Sequence, residues 1–600
     1  MSKIINDMSI QFATVNGSGS QSANNIITKA IFRMGVPVGP KNIFPSNIQG
    51  LPTWYTIRIS KQGYRARKKE LDWVVCMNAD TLIDDIKSVQ AGGVVVYNTD
   101  ILPKNFVPSR SDVTFYAVPF TSLARDKVKD IKLRKLLVNV LYVGVLAQLL
   151  NIDVETVESV IKSTFASKPK AIDSNIDAFK IGYEYAKDNL QKKDNYSIEK
   201  MNDNKDLFLT DGNNLAALGA YMGGCTVLAW YPITPSSSVC ESLISYFEKY
   251  RHNQDGTARF AHVQAEDEIA SLGMVIGAGW AGARAMTATS GPGVSLMGEF
   301  AGLSYFAEIP AVIVNVARMG PSTGLPTRTN QGDLISCVTL SHGDTKHVTL
   351  IPGTPEECYD FTRMSFDLAE EIQTLIFVLM DLDIGMNIWN CSTLPYPTEP
   401  YKRGKVLDAE KLEKMKDWGR YKDIDGDAIP YRTLPGTDHE RAAYFTRGTG
   451  HTVYATYSEK ADDWKNNIDR LERKWNTAKK FVPKPVVDAP GSKVGIIAYG
   501  TTNLCMQECR DQMSAKGVKT DYMRIRAVPF TDEVLEFVKK HDRIYVIDQN
   551  RDSQMHGLLQ WHLKEGQYTD KLISVRHYDG TPVDARSLSD QILQLEKAYL

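Results

Sequence analysis

Six hundred residues, 43% hydrophobic and 24% charged with a formal net charge of −1, are the composition of an ordinary globular chain long enough to bury several cores. The near-neutral balance supplies no basic footprint for nucleic acid or for an anionic membrane surface, so neither is expected as a partner. "MSKIINDMSIQFATVNG" lacks the apolar h-region of a secretion signal, and the longest apolar run, "LLVNVLYVGVLAQLL" at 136–150, is shorter than a membrane span; that run reads as a buried helix and the chain as cytoplasmic.

Over the first 165 residues strand-like and helix-like patterns alternate: "IQFATVNG", a helix from about 20 to 34, "WYTIRIS", "LDWVVCM", a short helix and "GGVVVYN", which predicts a mostly parallel α/β sheet. "GSGSQS" at 17–22 follows a strand and precedes a helix, the setting of a phosphate loop, but Ser22 stands where the third glycine of G-x-G-x-x-G belongs, which favours a plain tight turn. A charged stretch from about 166 to 204 reads as a connector with some helix. "TDGNNLAALGA" at 210–220 brings its Asn pair too early for the diphosphate motif of thiamine enzymes and predicts a helix cap by Asp211 or Asn213.

From 205 to about 390 the alternation resumes, and three strand ends run into polar or Pro/Gly-rich turns that can meet in one crevice at the carboxyl edge of a sheet. In "WYPITPSSSV" Pro232 and Pro235 fix a turn that aims Thr234 into that crevice, with Ser236 and Ser237 expected to cap the next helix. "QAEDEIASLGMVIGAG" leads three carboxylates into a helix so rich in Gly and Ala that close packing against a subunit or ligand is expected. "TATSGPG" and "ARMGPSTGLPTRTNQGD" place hydroxyls, glycines, Arg318 and Arg328 in loops after strands, and two guanidinium groups in one such loop point to an anionic substrate.

Beyond 390 come "KDIDGDA", an acidic turn without the closing Glu of a calcium loop, an aromatic stretch through "RTLPGTDHERAAYFTRGTGHT", and the helical "KADDWKNNIDRLERKWNTAKK". The alternation returns from "SKVGIIAYGTT" to the end. The eight cysteines are scattered and read as free thiols; Cys505 and Cys509 lie one helical turn apart but lack the further ligands of a zinc site. No C-x-x-C-x-x-C run is present, so this chain is expected to carry neither an iron–sulfur cluster nor a bound metal.

Taken in order, YPITPSS, VQAEDE, TATSGPG, ARMGPSTGLPTRTNQGD and PYRTLPGTDHE…YFTRGTGH resemble the alpha subunits of 2-oxoacid:ferredoxin oxidoreductases, most closely the 2-oxoglutarate branch, with the gamma domain fused at the N-terminus. The resemblance runs over nearly the whole chain. It implies three α/β domains: a gamma-type domain at 1–190, a thiamine diphosphate pyrimidine-binding domain at 205–440 and, after a connector at 441–490, a transketolase C-terminal-like domain at 491–600. "GSGSQS" departs from the glycine-richer gamma loop, which leaves contact of that domain with coenzyme A open. A separate beta subunit is implied to hold Mg²⁺, the diphosphate and a 4Fe–4S cluster in an (αβ)2 assembly, with ferredoxin taking the electrons and coenzyme A the acyl group.

Glu266 matches the family's cofactor carboxylate, which serves the ring N1′ of the aminopyrimidine, with Glu268 as the alternative two residues on. The resemblance further implies cofactor contacts from Ile233, Thr289, Ser290 and Gly291, a hydrogen bond from Thr234 to the substrate's carboxylate or carbonyl, and charge recognition by Arg318. Arg328 is the candidate for a distal carboxylate. The competing expectations are another 2-oxoacid (pyruvate or a branched-chain acid), a non-redox thiamine enzyme, and a non-catalytic scaffold subunit.

Overall fold

Three sheets organise the computed structural model, which describes residues 3–45, 50–102, 106, 109–446, 448–563 and 568–599. The first has the order Val38–Ile43, Pro52–Ser60, Asp7–Val15, Leu71–Cys76, Val89–Asn98, Thr114–Val118. It is parallel only from Asp7–Val15 onward, because the Pro52–Ser60 strand pairs antiparallel with both of its neighbours. Every residue of Leu71–Cys76 is buried, as expected of a strand covered on both faces. The Ser20–Arg33 helix and the apolar Arg134–Leu150 helix supply part of that cover. No helix among the described residues is long and apolar enough to cross a membrane.

The charged stretch after 165 is not a spacer. It forms the Pro169–Asn189 helix, which buries Ala178, Phe179 and Ala186 in the first core. Gly144 and Gly182 let this helix touch its neighbour: a Cβ on Gly182 would lie 2.1 Å from the Leu141 carbonyl, and one on Gly144 2.1 Å from that of Phe179. Contact made by small residues leaves no apolar stripe for periodicity to register, which is why a polar-looking sequence hides a core helix.

The second sheet is parallel in the order Ala261–Gln264, Val227–Trp230, Ala285–Thr289, Ala311–Met319, Leu375–Asp381, Val348–Leu350. Ala527–Val528, from the C-terminal part of the chain, closes its far edge antiparallel to Val348–Leu350. The third sheet runs Val486–Asp488, Asp521–Ile525, Val494–Tyr499, Arg543–Asp548, Leu572–Arg576, and its residues share one hydrophobic core with the second. The 441–490 stretch carries the Ala461–Ala478 helix, whose Arg470 and Lys474 reach the buried Glu308. The N-terminal unit is seated by Lys41, whose ammonium lies 2.7 Å from Asp383 and 3.2 Å from the centre of the Trp389 ring.

His347 precedes the Val348–Leu350 strand with no exposed surface. Its Nε2–H donates to the Leu340 carbonyl at 2.8 Å, and it packs edge-on against Tyr305 and Phe377. Burial pushes its pKa down to about 4 from 6.5. The unfolded chain therefore binds a proton that the folded chain refuses between these values, and about 3 kcal/mol of stability is lost as pH falls from 6.5 through 4. His347→Phe removes that component. The urea midpoints of the two proteins are expected to converge on acidification, and a gap that stays constant from pH 7 to pH 4 contradicts the assignment.

Candidate active site

Strand ends build the site. Trp230 and Gln264 are register partners on adjacent parallel strands, and the Ala265 amide continues the ladder to the Trp230 carbonyl. Glu266 and the Tyr231–Thr234 turn thus leave the sheet side by side. Glu266 is exposed, flanked in sequence by the exposed apolar residues Val263 and Ile269. Asp267 caps the Glu268–Trp280 helix by accepting from the Ala270 amide at 2.7 Å. Glu268 is buried beneath it, with its Cγ 2.6 Å and Thr289 Oγ1 2.1 Å from where a Cβ on Gly293 would stand. The two candidate carboxylates therefore occupy different environments: Glu266 faces outward and Glu268 inward.

The YPITPSSS turn is fixed in a way its letters did not reveal. Ser237 Oγ accepts from the Ile233 amide, and the Ser236 and Ser237 hydroxyls both donate to the Ile233 carbonyl at 3.1 and 3.2 Å. These serines lock the turn rather than cap the Ser237–Tyr250 helix, whose N-cap has no side-chain bond. Asn213 donates to the Pro235 carbonyl and to Ser238 Oγ, each at 2.8 Å, while Asp211 makes the helix cap through the Asn214 amide. The Thr234–Pro235 bond is cis, and Thr234 is half-buried.

Arg318, near the end of the Ala311–Met319 strand, donates from Nη1 to the Thr234 carbonyl at 2.7 Å. It is buried, and its Nε has no partner among the described residues. Burial lowers its pKa, opposed by the carboxylates of Asp333 and Glu268. Asp333 accepts from Asn315 Nδ2 at 3.0 Å and presses on Gly291, where a Cβ would stand 2.8 Å from its Oδ1. Burial raises the Asp333 pKa against the pull of Asn315 and Arg318. Thr289 and Ser290 are fully buried at the end of the Ala285–Thr289 strand, and Ser290 Oγ is likewise unpartnered.

Arg328 lies on the Leu325–Thr329 strand, beside Thr329, the register partner of Arg318. Its Nη1 donates to the carbonyls of Phe44 and Thr327 and to Thr327 Oγ1, at 3.0 to 3.1 Å, which fixes it at the junction with the N-terminal unit. The structure brings Ile233, Thr234, Glu266, Thr289, Ser290, Gly291 and Arg318 to the ends of neighbouring strands, with Arg328 on the short Leu325–Thr329 strand that pairs with the Arg318 strand. Sequence reasoning missed Asp333 and Asn315, whose only signal was an Asp closing the TNQGD turn. It also missed Asn213, set aside because its spacing fitted no diphosphate motif. Of the three glycines in the Glu268–Trp280 helix, Gly279 admits the Pro310 carbonyl and Gly273 the Phe300 ring, while Gly277 faces open space.

The outward carboxylate of Glu266 beside the serine-locked Ile233 turn fits the aminopyrimidine end of thiamine diphosphate, and the Arg318 guanidinium behind it fits an acid. It offers nothing comparable for a metal-bound diphosphate, and among the described residues no group of three or more His, Cys, Asp or Glu could hold a metal ion.

The fold defines an α/β chain that gathers a guanidinium, carboxylates and hydroxyls at the carboxyl edge of a parallel sheet. Residues 218–475 match the family described as pyruvate flavodoxin/ferredoxin oxidoreductase, thiamine diphosphate-binding, and residues 9–185 the pyruvate ferredoxin/flavodoxin oxidoreductase family. The chain is 29% identical to 2-oxoacid:ferredoxin oxidoreductase 2, subunit alpha, of Aeropyrum pernix over 93% of each. It is 32% identical to the 2-oxoglutarate synthase subunit KorA of Methanocaldococcus jannaschii, over 55% of this chain and 84% of that one. A solved 2-oxoglutarate:ferredoxin oxidoreductase from Magnetococcus marinus superposes with a TM-score of 0.86 at 26% identity, covering 99% of this chain and 100% of the other. The chain belongs to the family of 2-oxoacid:ferredoxin oxidoreductase alpha subunits, with the gamma-type and thiamine diphosphate-binding domains fused in one polypeptide.

Proposed function

We propose that this chain is the alpha subunit of a 2-oxoglutarate:ferredoxin oxidoreductase, interconverting 2-oxoglutarate plus coenzyme A with succinyl-CoA plus carbon dioxide in the cytoplasm. A beta subunit supplies Mg²⁺, the diphosphate site and a 4Fe–4S cluster in an (αβ)2 assembly, and ferredoxin exchanges the electrons. The relatives named for 2-oxoglutarate support this choice of acid. The observation that carries the acid-binding reading is the buried guanidinium of Arg318, tied by one nitrogen to the Thr234 carbonyl with its Nε unpartnered.

Thiamine diphosphate, when bound, supplies the nucleophilic carbon and the electron sink for loss of carbon dioxide. This chain's own residues orient and protonate. Glu266 holds a proton at the pyrimidine ring nitrogen, on a face that becomes dry when another subunit covers Val263 and Ile269. Thr234, half-buried on a turn locked by Ser236 and Ser237, directs its hydroxyl to the acid. Arg318 neutralises the acid's carboxylate with a guanidinium already stripped of water, so little reorganisation accompanies binding. Arg328, with three oxygen partners at the domain junction, has less freedom to meet a distal carboxylate, so the proposal rests on Arg318.

Arg318→Ala is expected to raise the oxoacid KM by about 30- to 100-fold, the effect of a charged hydrogen bond worth roughly 2 to 3 kcal/mol. Steady-state dye reduction by the reconstituted alpha–beta complex measures this, and a KM within twofold of wild type removes Arg318 from the site. A panel of 2-oxoglutarate, pyruvate and branched-chain oxoacids in the same CoA-dependent assay tests the acid. Preference for pyruvate replaces the 2-oxoglutarate reading with that of a pyruvate enzyme. Turnover without dye or ferredoxin reduction favours a non-redox thiamine enzyme.

A further inference from the structure

The Arg318 loop does not hold itself in place. Gln331 to Ile335, the segment carrying Asp333, is gripped by the loop that follows the Arg543–Asp548 strand of the third sheet. The Gln331 amide donates to the Gln549 carbonyl at 2.9 Å, and Asn550 Nδ2 donates back to the Gln331 carbonyl at 3.0 Å. Gln554 clamps the other side: its Nε2 donates to the Gly332 carbonyl at 2.6 Å, and its Oε1 accepts from the Ile335 amide at 2.9 Å. The two clamps are joined, because the Gln554 amide donates to Asn550 Oδ1 at 3.0 Å. Behind them Asp548, fully buried, accepts from the Tyr499 hydroxyl at 2.8 Å, from Asn550 Nδ2 at 3.2 Å and from the amides of Met555 and His556.

We infer that Asn550 and Gln554 are positioning residues, which fix Asp333 in register against Asn315 and so steady the strand end that presents Arg318 to the oxoacid. Gln554 holds the segment on both sides of Asp333, Asp333 accepts from Asn315 and abuts Gly291, and Asn315 lies on the Ala311–Met319 strand that carries Arg318, whose Nη1 reaches the Thr234 carbonyl. Ile335 stands in the first turn of the Leu334–Val338 helix, whose N-cap residue Asp333 makes no side-chain cap bond, so Gln554 Oε1 satisfies an amide the helix leaves free while its Nε2 takes the Gly332 carbonyl just before that turn. The Asn550 bond to the Gln331 carbonyl is buried and the Gln554 bond to the Gly332 carbonyl half-buried, so leaving either unmade is costly, while the Ile335 bond lies at the surface. The third domain thereby completes a site in the second, and its DQNRDSQ loop has a role in acid recognition without touching the acid.

This inference rests on the reading of Arg318 as the acid-binding group, and a double-mutant cycle separates the two. Gln554→Met keeps the side-chain length and removes both clamp bonds. In the assembled alpha–beta complex loaded with thiamine diphosphate, the dissociation constant of the preferred oxoacid, read by titration calorimetry, is expected to rise about tenfold, with kcat within about threefold of wild type. Gln554→Glu retains the acceptor for Ile335 and should fall between the two. In the Arg318→Ala background the Gln554→Met effect should shrink to within about twofold, because the group it positions is gone. A Gln554→Met variant that binds the acid as wild type overturns the inference, and so does an effect that adds in full to that of Arg318→Ala. If Arg318→Ala alone binds the acid normally, the acid-binding reading falls first and takes this inference with it.

Discussion

Glu266→Gln is expected to cut turnover of the assembled enzyme by about 10²- to 10⁴-fold, the usual span for a lost acid–base group, while the chain keeps its fold. Glutamine preserves the shape and can still hydrogen-bond, but it cannot carry the proton that the ring nitrogen needs. Because Glu266 is exposed at a strand end, the exchange disturbs no core, and stability should stay within about 0.5 kcal/mol. Glu268→Gln is the informative comparison. Glu268 is buried against Thr289 and Gly293, and its carboxylate competes with an incoming acid for Arg318, so its loss should change acid binding more than turnover. CoA-dependent dye reduction at saturating oxoacid decides between them. A larger loss of kcat in Glu268→Gln than in Glu266→Gln would falsify the assignment of Glu266 and move the cofactor carboxylate inward. Full activity in both variants favours the scaffold reading.

What the sequence could show of this site is what local rules encode. Prolines around Thr234, glycines after Thr289 and a carboxylate run ahead of a helix each mark a strand end, and the parallel register brings those ends together. The antiparallel half of the first sheet was not legible, because alternation in Pro52–Ser60 reads alike in either direction. Roles set by residues far away in the chain were equally hidden. Arg328 reads as a second anion binder, and nothing in the sequence signals that its Nη1 also meets the carbonyl of Phe44, 284 positions earlier. The Asp333 clamp depends on Gln554, 222 positions beyond Gly332. Likewise the 441–490 stretch reads as a connector because its helix is exceptionally polar, yet that polarity includes the two cations that a buried glutamate requires.

That glutamate gives the largest expected effect on stability. Glu308 has no exposed surface and adopts the left-handed backbone, with φ of 56°. Its Oε1 receives Arg470 Nη1 at 3.0 Å and Lys474 Nζ at 2.6 Å, and its Oε2 receives Arg470 Nη2 at 2.6 Å. Burial by itself raises the Glu308 pKa, but Arg470 and Lys474 overcome it and hold the group at about 2, below its ordinary 4.5. Its contribution is thus fully present above pH 4.5 and is lost as pH falls toward 2. At neutral pH Glu308→Ala leaves Arg470, Lys474 and the neighbouring Arg420 buried without this counter-charge and is expected to cost about 3 to 5 kcal/mol. The same physics makes a second, opposite expectation: a Glu308→Leu, Arg470→Met, Lys474→Met variant removes the carboxylate with its two direct partners and leaves only Arg420, bonded to the residue 308 carbonyl, so much of that loss should be recovered. Urea midpoints of the two variants, with proteolytic cleavage between 441 and 490 as the local readout, give the comparison. A triple variant as unstable as Glu308→Ala would mean that the cluster acts through shape and hydrogen bonds rather than through compensated charge.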